Sequence, residues 1–234
     1  MTRFPRRRRV CVATALVLVA ALTGCGVTEG QPEPGPRARV VDVPNQPAFV
    51  RLPGRAEIGA RIGQVLLPET VLRTQKPGRL QVELADGRSF RLGGDALLRL
   101  SQAGLDLRRG QIIAWVNPGS MGDSPLRVNT RVGTASIVGT TVFLDVGADE
   151  VTVFSWEGEV QLRTDSGEIF RLRSGEQLSR AVSAVSARPQ PWRGPRRLSQ
   201  AELQRRRAES VLLSGFTAPM ETLPVLEQEL GLQR

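Results

Sequence analysis

Few side chains in this sequence could carry acid–base, nucleophilic or metal chemistry. Glu157 and Glu159 flank Gly158. Two residues apart on an extended strand, they would present two carboxylates on one side, as a general acid and its base require. Acids beside a turn glycine serve equally well as solvated charges. The thiols are Cys11 and Cys25, and the chain contains no histidine. Ser-His-Asp and Cys-His nucleophiles, HExxH metalloprotease helices and histidine-containing zinc sites are therefore excluded. Two cysteines cannot hold a zinc or iron–sulfur cluster. The chain is expected to be non-catalytic, with no metal and no cofactor.

Composition narrows the partners. Aromatic residues make up 4% of the 234 residues and tyrosine is absent, so stacking platforms for bases are not expected. The net charge is +9, but five of the 32 basic residues and none of the 23 acidic ones precede residue 25, which leaves +4 on the remainder. Lys76 is the only lysine. Such an Arg skew reflects coding composition rather than a nucleic-acid code, and no nucleic-acid partner is expected.

Arg6 to Arg9 precede an apolar stretch of 13 residues, Val10 to Leu22. That length suits the apolar region of a signal peptide and falls short of the ~20 residues that span a bilayer. Leu22-Thr23-Gly24-Cys25 follows at once. This resembles a bacterial lipobox, in which the cysteine thiol is diacylglycerated before cleavage on its amino side. The alternative is an uncleaved anchor ending in a buried cysteine. Either way the positive residues stay inside and the rest of the chain lies outside the cytoplasm. Residues 1–24 are thus expected as a signal peptide, with a membrane anchor at Cys25 and a place in the cell envelope, facing the periplasm or the exterior. Several acyl chains, at ~0.8 kcal/mol per buried CH₂, would anchor it stably. A mature chain starting at Cys25 has no free thiol and no disulfide, so packing alone must hold the fold.

Residues 25–48 (CGVTEGQPEPGPRARVVDVPNQPA) are rich in Pro and Gly and read as a disordered tether. Residues 49–71 form a lead-in, with Val65-Leu66-Leu67 as its buried part. Over residues 72–180 apolar and polar residues alternate with period two, broken by Gly and Asp, and no sustained 3.6-residue period occurs. This span is expected to be all-β. Asp86-Gly87 and Ser166-Gly167 mark hairpin turns. The hairpin Gly78–Leu92 aligns without gaps on Gly158–Leu172, sharing Gly, Gln, Gly, Phe, Arg and Leu at an offset of 80. Duplication and coincidence both remain open. A repeat of this kind suggests a pseudo-symmetric β-sandwich or a short β-solenoid. Residues 181–198 read as a linker and 199–234 as a helical tail: Ser199 and Glu202 have capping-box spacing, the first helix running to about Leu213 and a second from Leu223 to Leu230. These helices are expected to pack on their own domain.

The β span resembles the FecR-type domain family of bacterial envelope proteins. Leu80 to Leu92 looks like the family's opening hairpin, with Asp86 and Gly87 at its turn. Leu105 to Val116, with Gly110, is similar to its second segment. Arg127-Val-Asn-Thr130 followed by Gly133 to Val146, with Gly139, Thr140 and Phe143, resembles its most specific part. Glu157-Gly158 and Gly175-Glu176 fall where the family shows "EG" and "GEQ". Arg131-Val132 departs from the family's Pro-Ala neighbourhood. The residues themselves read as a folding signature. Gly139, Gly158 and Gly175 suit strand ends needing positive φ or close backbone approach. Val142, Leu144 and Val146 share one face, while Phe143 and Asp145 share the other. Trp115, Trp156, Phe90 and Phe170 read as core or half-core.

The resemblance implies a regulator that passes a signal between an outer-membrane receptor and a sigma factor through a cytoplasmic segment. Nine residues precede the apolar stretch, and the sequence therefore leads to the expectation of an isolated envelope FecR-type domain on a lipid anchor. The first reading is a non-catalytic binding or scaffold lipoprotein engaging an envelope protein or a glycan and able to offer an open β edge. The alternative is an accessory periplasmic sensor or regulator in FecR-like cell-surface signalling, and the third is a glycan-acting enzyme using Glu157.

Overall fold

The computed structural model describes residues 37–117, 124–182 and 190–232. Cys25, the signal peptide and most of the expected tether lie outside the described residues, as do Met121 to Asp123 and residues 183–189.

Fifteen strands join one hydrogen-bonded sheet. They are β1 (Arg39–Asn45), β2 (Ala48–Arg51), β3 (Ile58–Gly59), β4 (Val71–Thr74), β5 (Arg79–Glu83), β6 (Ser89–Ser101), β7 (Gly104–Trp115) and β8 (Leu126–Thr130). Then come β9 (Gly133–Ile137), β10 (Thr141–Val146), β11 (Glu150–Glu157), β12 (Val160–Thr164), β13 (Ile169–Leu172), β14 (Glu176–Ala181) and β15 (Arg193–Arg197). Helices α1 (Gln200–Glu209), α2 (Val211–Ser214) and α3 (Leu223–Glu229) follow.

The long strands β6 and β7 pair along their whole length and form a spine. At one end of the spine β5 and β1 join β6, while β10, β11, β14 and β15 continue from β7. At the other end β4, β2 and β3 join β6, while β8, β9, β12 and β13 continue from β7. All these pairings are antiparallel except β7 with β8. The spine bends where register slips between Gly93 and Leu97. Both wings then supply side chains to one apolar core, in which Leu80, Phe90, Leu92, Ile112, Val142, Val160 and Leu162 are almost fully buried. An antiparallel sheet folded over a single core is the sandwich of the two expected architectures; stacked solenoid coils would need parallel neighbours.

The bend depends on one glycine. Gly110 has φ of +87° and a Cβ there would lie 2.3 Å from the Ala96 Cα. Backbone meets backbone at that point, so no side chain could turn aside.

Four expectations are corrected. The tether does not extend to residue 48: β1 and β2 occupy its end, with Val40 paired to Val82 and both buried. The Pro-rich composition obscured this because the partners of β1 are distant in sequence: β5 on one side, and on the other only the segment around Gln64 to Leu66, which bonds Ala38 and Val40 and leaves Pro44 beyond its reach. In the lead-in, Leu66 is buried but Val65 and Leu67 are exposed. The linker contains β15, which pairs with β14 although every residue of it is exposed. At the tail, the capping box is present, with the Ser199 N–H donating to Glu202 Oε2 at 2.8 Å. The helix nevertheless stops at Glu209, and α2 begins at Val211.

The two similar hairpins have matching registers. Leu80 faces Leu92 and Gln81 faces Arg91; Val160 faces Leu172 and Gln161 faces Arg171. The offset of 80 therefore holds in pairing as well as in sequence.

Gly110→Ala is expected to cost about 2–4 kcal/mol, combining backbone strain and overpacking. Gly167→Ala, at φ +88° with open space around it, should cost about 1 kcal/mol, from strain alone. Urea unfolding of the two variants checks the difference.

Candidate interaction surface

Period-two alternation gives β7, β10 and β11 two apolar faces. Ile112, Val142, Leu144, Val151 and Val153 enter the sandwich core. Ile113, Trp115, Phe154 and Trp156 point the opposite way and form a second core with Leu198, Leu203, Leu212, Leu213, Met220, Leu226 and Leu230. Residues 198–232 are thus a roof on the outer face of the sheet. Phe154 and Trp156 meet edge to face at 4.8 Å beneath it. Each large apolar side chain buried there contributes about 1.5–3 kcal/mol.

Polar groups fix the roof in place. Arg91, on β6, is buried on this outer face. Its Nε donates to Gln81 Oε1 at 2.8 Å, Nη1 to the carbonyls of Leu212 and Leu213 at 3.0 and 3.1 Å, and Nη2 to the Ala218 carbonyl at 2.7 Å. The guanidinium also lies 4.4 Å from the Phe216 ring centre. Burial pulls its pKa down to about 10, opposed by Asp42 and Glu221, so it stays charged at neutral pH. Asp42, on β1, accepts from the N–H groups of Thr217 and Ala218 at 2.6 and 2.8 Å. Carbonyls and amides of the same turn are therefore held by opposite charges from two strands. Arg79 adds a bond to the Val211 carbonyl at 3.2 Å.

Under α1 a cavity of about 540 Å³ is lined by Asp145, Trp156, Arg196, Glu202, Arg206 and Glu209, among others. Arg206 stacks 4.5 Å from Phe154 and hydrogen-bonds Gln177; burial lowers its pKa, partly offset by Asp145 and Glu202. Arg196 and the Ser199 N–H hold the Glu202 carboxyl down at about 2.

The sequence-selected residues fall into separate groups. Gly139, Thr140, Glu157 and Gly158 come together where β10 and β11 begin and end, and a Cβ on Gly158 would strike the Thr140 methyl. Phe143 is half-buried under the roof, within 5.5 Å of the Arg206 guanidinium. Gly175 donates to the Ser155 carbonyl and accepts from the Leu198 N–H, so it seats the start of the roof. Glu176 accepts from the Arg173 N–H at 2.8 Å. Asp86 and Gly87 make the first hairpin turn, with Asp86 bonded to the Arg88 guanidinium and its own pKa lowered, burial opposing. Thr130 closes the β8–β9 turn through the Gly133 carbonyl at 2.9 Å, and Gly110 bends the spine.

Glu157 and Glu159 do not form a carboxylate pair. Glu157 accepts from Thr141 Oγ1 at 3.1 Å and is influenced by Glu229 of the roof. Glu159 is exposed and lies 3.8 Å from Arg171. The positive φ of Gly158 between them, +68°, breaks the strand alternation that would have aligned them.

Among the described residues nothing covers the outer face of β8, β9, β12 and β13. Arg127, Asn129, Ser136, Gln161, Arg163 and Arg171 stand on it around a groove of about 710 Å³. Val138 and Ile169 are 67% and 49% exposed beside it. Composition did not reveal this surface. Nor did it reveal the Arg91 lock, although an arginine between Phe90 and Leu92 in the opening strand was a visible signal.

Residues 70–161, from the start of β4 into β12, match the family described as FecR protein. Over these residues the chain is similar to a FecR domain. The strands β13 to β15 and the roof lie beyond the matched residues, so Gly175 and Glu176 fall outside the FecR match. Two crystal structures of candidate anti-sigma factors from Parabacteroides distasonis are similar to the chain. One aligns at TM-score 0.46 and 15% identity over 57% of this chain, the other at 0.43 and 16% over 54%. The chain spans 62% and 59% of their respective lengths. No curated protein matches it.

Burial under the roof raises the Glu157 pKa, with Glu229 adding to the effect and the Thr141 bond opposing it. The folded state then binds more protons than the unfolded one through this window, and stability falls as pH rises through it. Glu157→Gln should abolish that dependence. The stability of the Gln variant relative to the parent is expected to rise from acid pH to neutral pH and then level off, as read by urea unfolding across the carboxylate range.

Proposed function

We propose that this protein is an accessory regulator in FecR-type cell-surface signalling, held in the cell envelope by a lipid on Cys25 and acting through protein contacts. The FecR match over residues 70–161 carries this reading. It supports a regulatory role better than the general scaffold that the sequence first suggested, because resemblance to the FecR family implies a regulator.

The geometry is compatible with such a role. Family-motif residues make turns, bends and roof contacts, and the exposed surfaces are left for a partner. The carboxylates that could have served a glycan-acting enzyme have separate neighbours, Glu157 beneath the roof with Thr141 and Glu159 beside Arg171, so they do not support that third reading.

Crosslinking the native protein in cells, followed by mass spectrometry of membrane fractions, tests the proposal. The expected products contain a receptor's periplasmic signalling domain or the periplasmic part of a membrane regulator. Products containing only peptidoglycan-associated proteins would contradict regulation and return the scaffold reading. Products with cytosolic proteins would contradict the envelope location.

A further inference from the structure

The two hairpins related by the offset of 80 have the same register but different surroundings. In the first, Gln81 and Arg91 face outward and are covered by the roof, whose carbonyls at Leu212, Leu213 and Ala218 receive the Arg91 N–H groups. In the second, Gln161 and Arg171 occupy the equivalent outward positions. Here Arg171 is exposed, and no described residue covers the face.

The covering segment has a distinct chemistry. Residues 210–232 contain Glu221, Glu227 and Glu229 and no Lys or Arg. On the face it covers, Arg79 and Arg91 take its carbonyls and Asp42 takes its amides. The second face is basic: Arg127, Arg163 and Arg171 line its groove against the single carboxylate of Glu159. Thr134, Ser136 and Asn129 add neutral hydrogen-bonding groups, and Val138 gives an apolar contact at the rim.

We propose that the outer face of β8, β9, β12 and β13 docks an acidic segment of another protein, with Arg171 and Gln161 engaging its backbone carbonyls as Arg91 and Gln81 engage those of the roof. Arg127 and Arg163 supply the charge that selects an acidic sequence, an effect felt in association rate and specificity. The surface assignment goes beyond the signalling role and holds whether or not the partner belongs to a signalling pathway.

A fluorescein-labelled peptide of residues 209–232 has the required chemistry and serves as the probe, titrated against the full chain by fluorescence anisotropy. Saturable binding is expected. It should weaken by about tenfold or more in the double variant Arg163→Glu, Arg171→Glu, and likewise for a peptide whose four glutamates are replaced by glutamine. A photocrosslinker at position 138 should capture the peptide. Both arginines are exposed, so the melting temperature of the double variant should match the parent; the milder Arg171→Gln provides a second reading should it not. Three results would overturn the proposal: no saturable binding, equal affinity for parent and double variant, or a concentration-dependent dimer that Arg171→Gln dissolves, which would make a second copy the occupant. Peptide occupancy is read without reference to signalling, so its failure is distinct from failure of the crosslinking test above.

Discussion

A guanidinium buried between two layers organises the molecule. Arg91 stands between Phe90 and Leu92 on a strand whose other face is solid core. Removing one side of a buried, hydrogen-bonded charge network typically costs about 3–5 kcal/mol. The sheet alone offers Arg91 only Gln81; the remaining donors need carbonyls that come from more than 120 residues downstream. Asp42 completes the arrangement by taking the amides of the same turn. The first described strand and the last helices are therefore tied to one central strand by opposite charges. The roof is part of the fold and makes the second core possible.

The same device explains how one hairpin design serves two ends. With its outer face roofed, the first hairpin becomes interior, and its Gln–Arg pair turns structural. The second retains the pair, the turn glycine and the register, but its face meets solvent. Its inner face is as apolar as the first: Val160, Leu162 and Leu172 are buried with Leu80, Val82 and Leu92. What distinguishes the two, among the described residues, is a covering segment whose carbonyls meet Arg91 and whose amides meet Asp42.

Much of this was legible in the sequence. Alternation along Leu80 to Leu84 and Val151 to Ser155, the turn glycines and the capping box at Ser199 each reflect local rules that tertiary structure did not override. The offset of 80 could be read directly, and the paired registers bear it out. Other features depended on distant partners. Residues 39–48 look like linker because Pro44 and Pro47 dominate composition, while the burial of Val40 depends on β5. β15 has no apolar residue to mark it as a strand and is held by backbone pairing to β14. The supposed carboxylate pair failed because strand alternation was assumed to pass through Gly158, whose positive φ breaks it. Position 91 shows the limit most clearly: sequence places an arginine on a strand, but only the fold shows that its outward face is interior.

Amide hydrogen exchange of Thr217 and Ala218 shows whether the roof is part of the fold. If the roof is integral, these amides should exchange with opening free energies close to those of the core amides of Ile112 and Leu144, and Arg91→Met should bring both sets down together. Exchange of Thr217 and Ala218 at the rate of an unstructured peptide, with the core amides still protected, would show that the roof is a detachable tail and that Arg91 does not organise the fold.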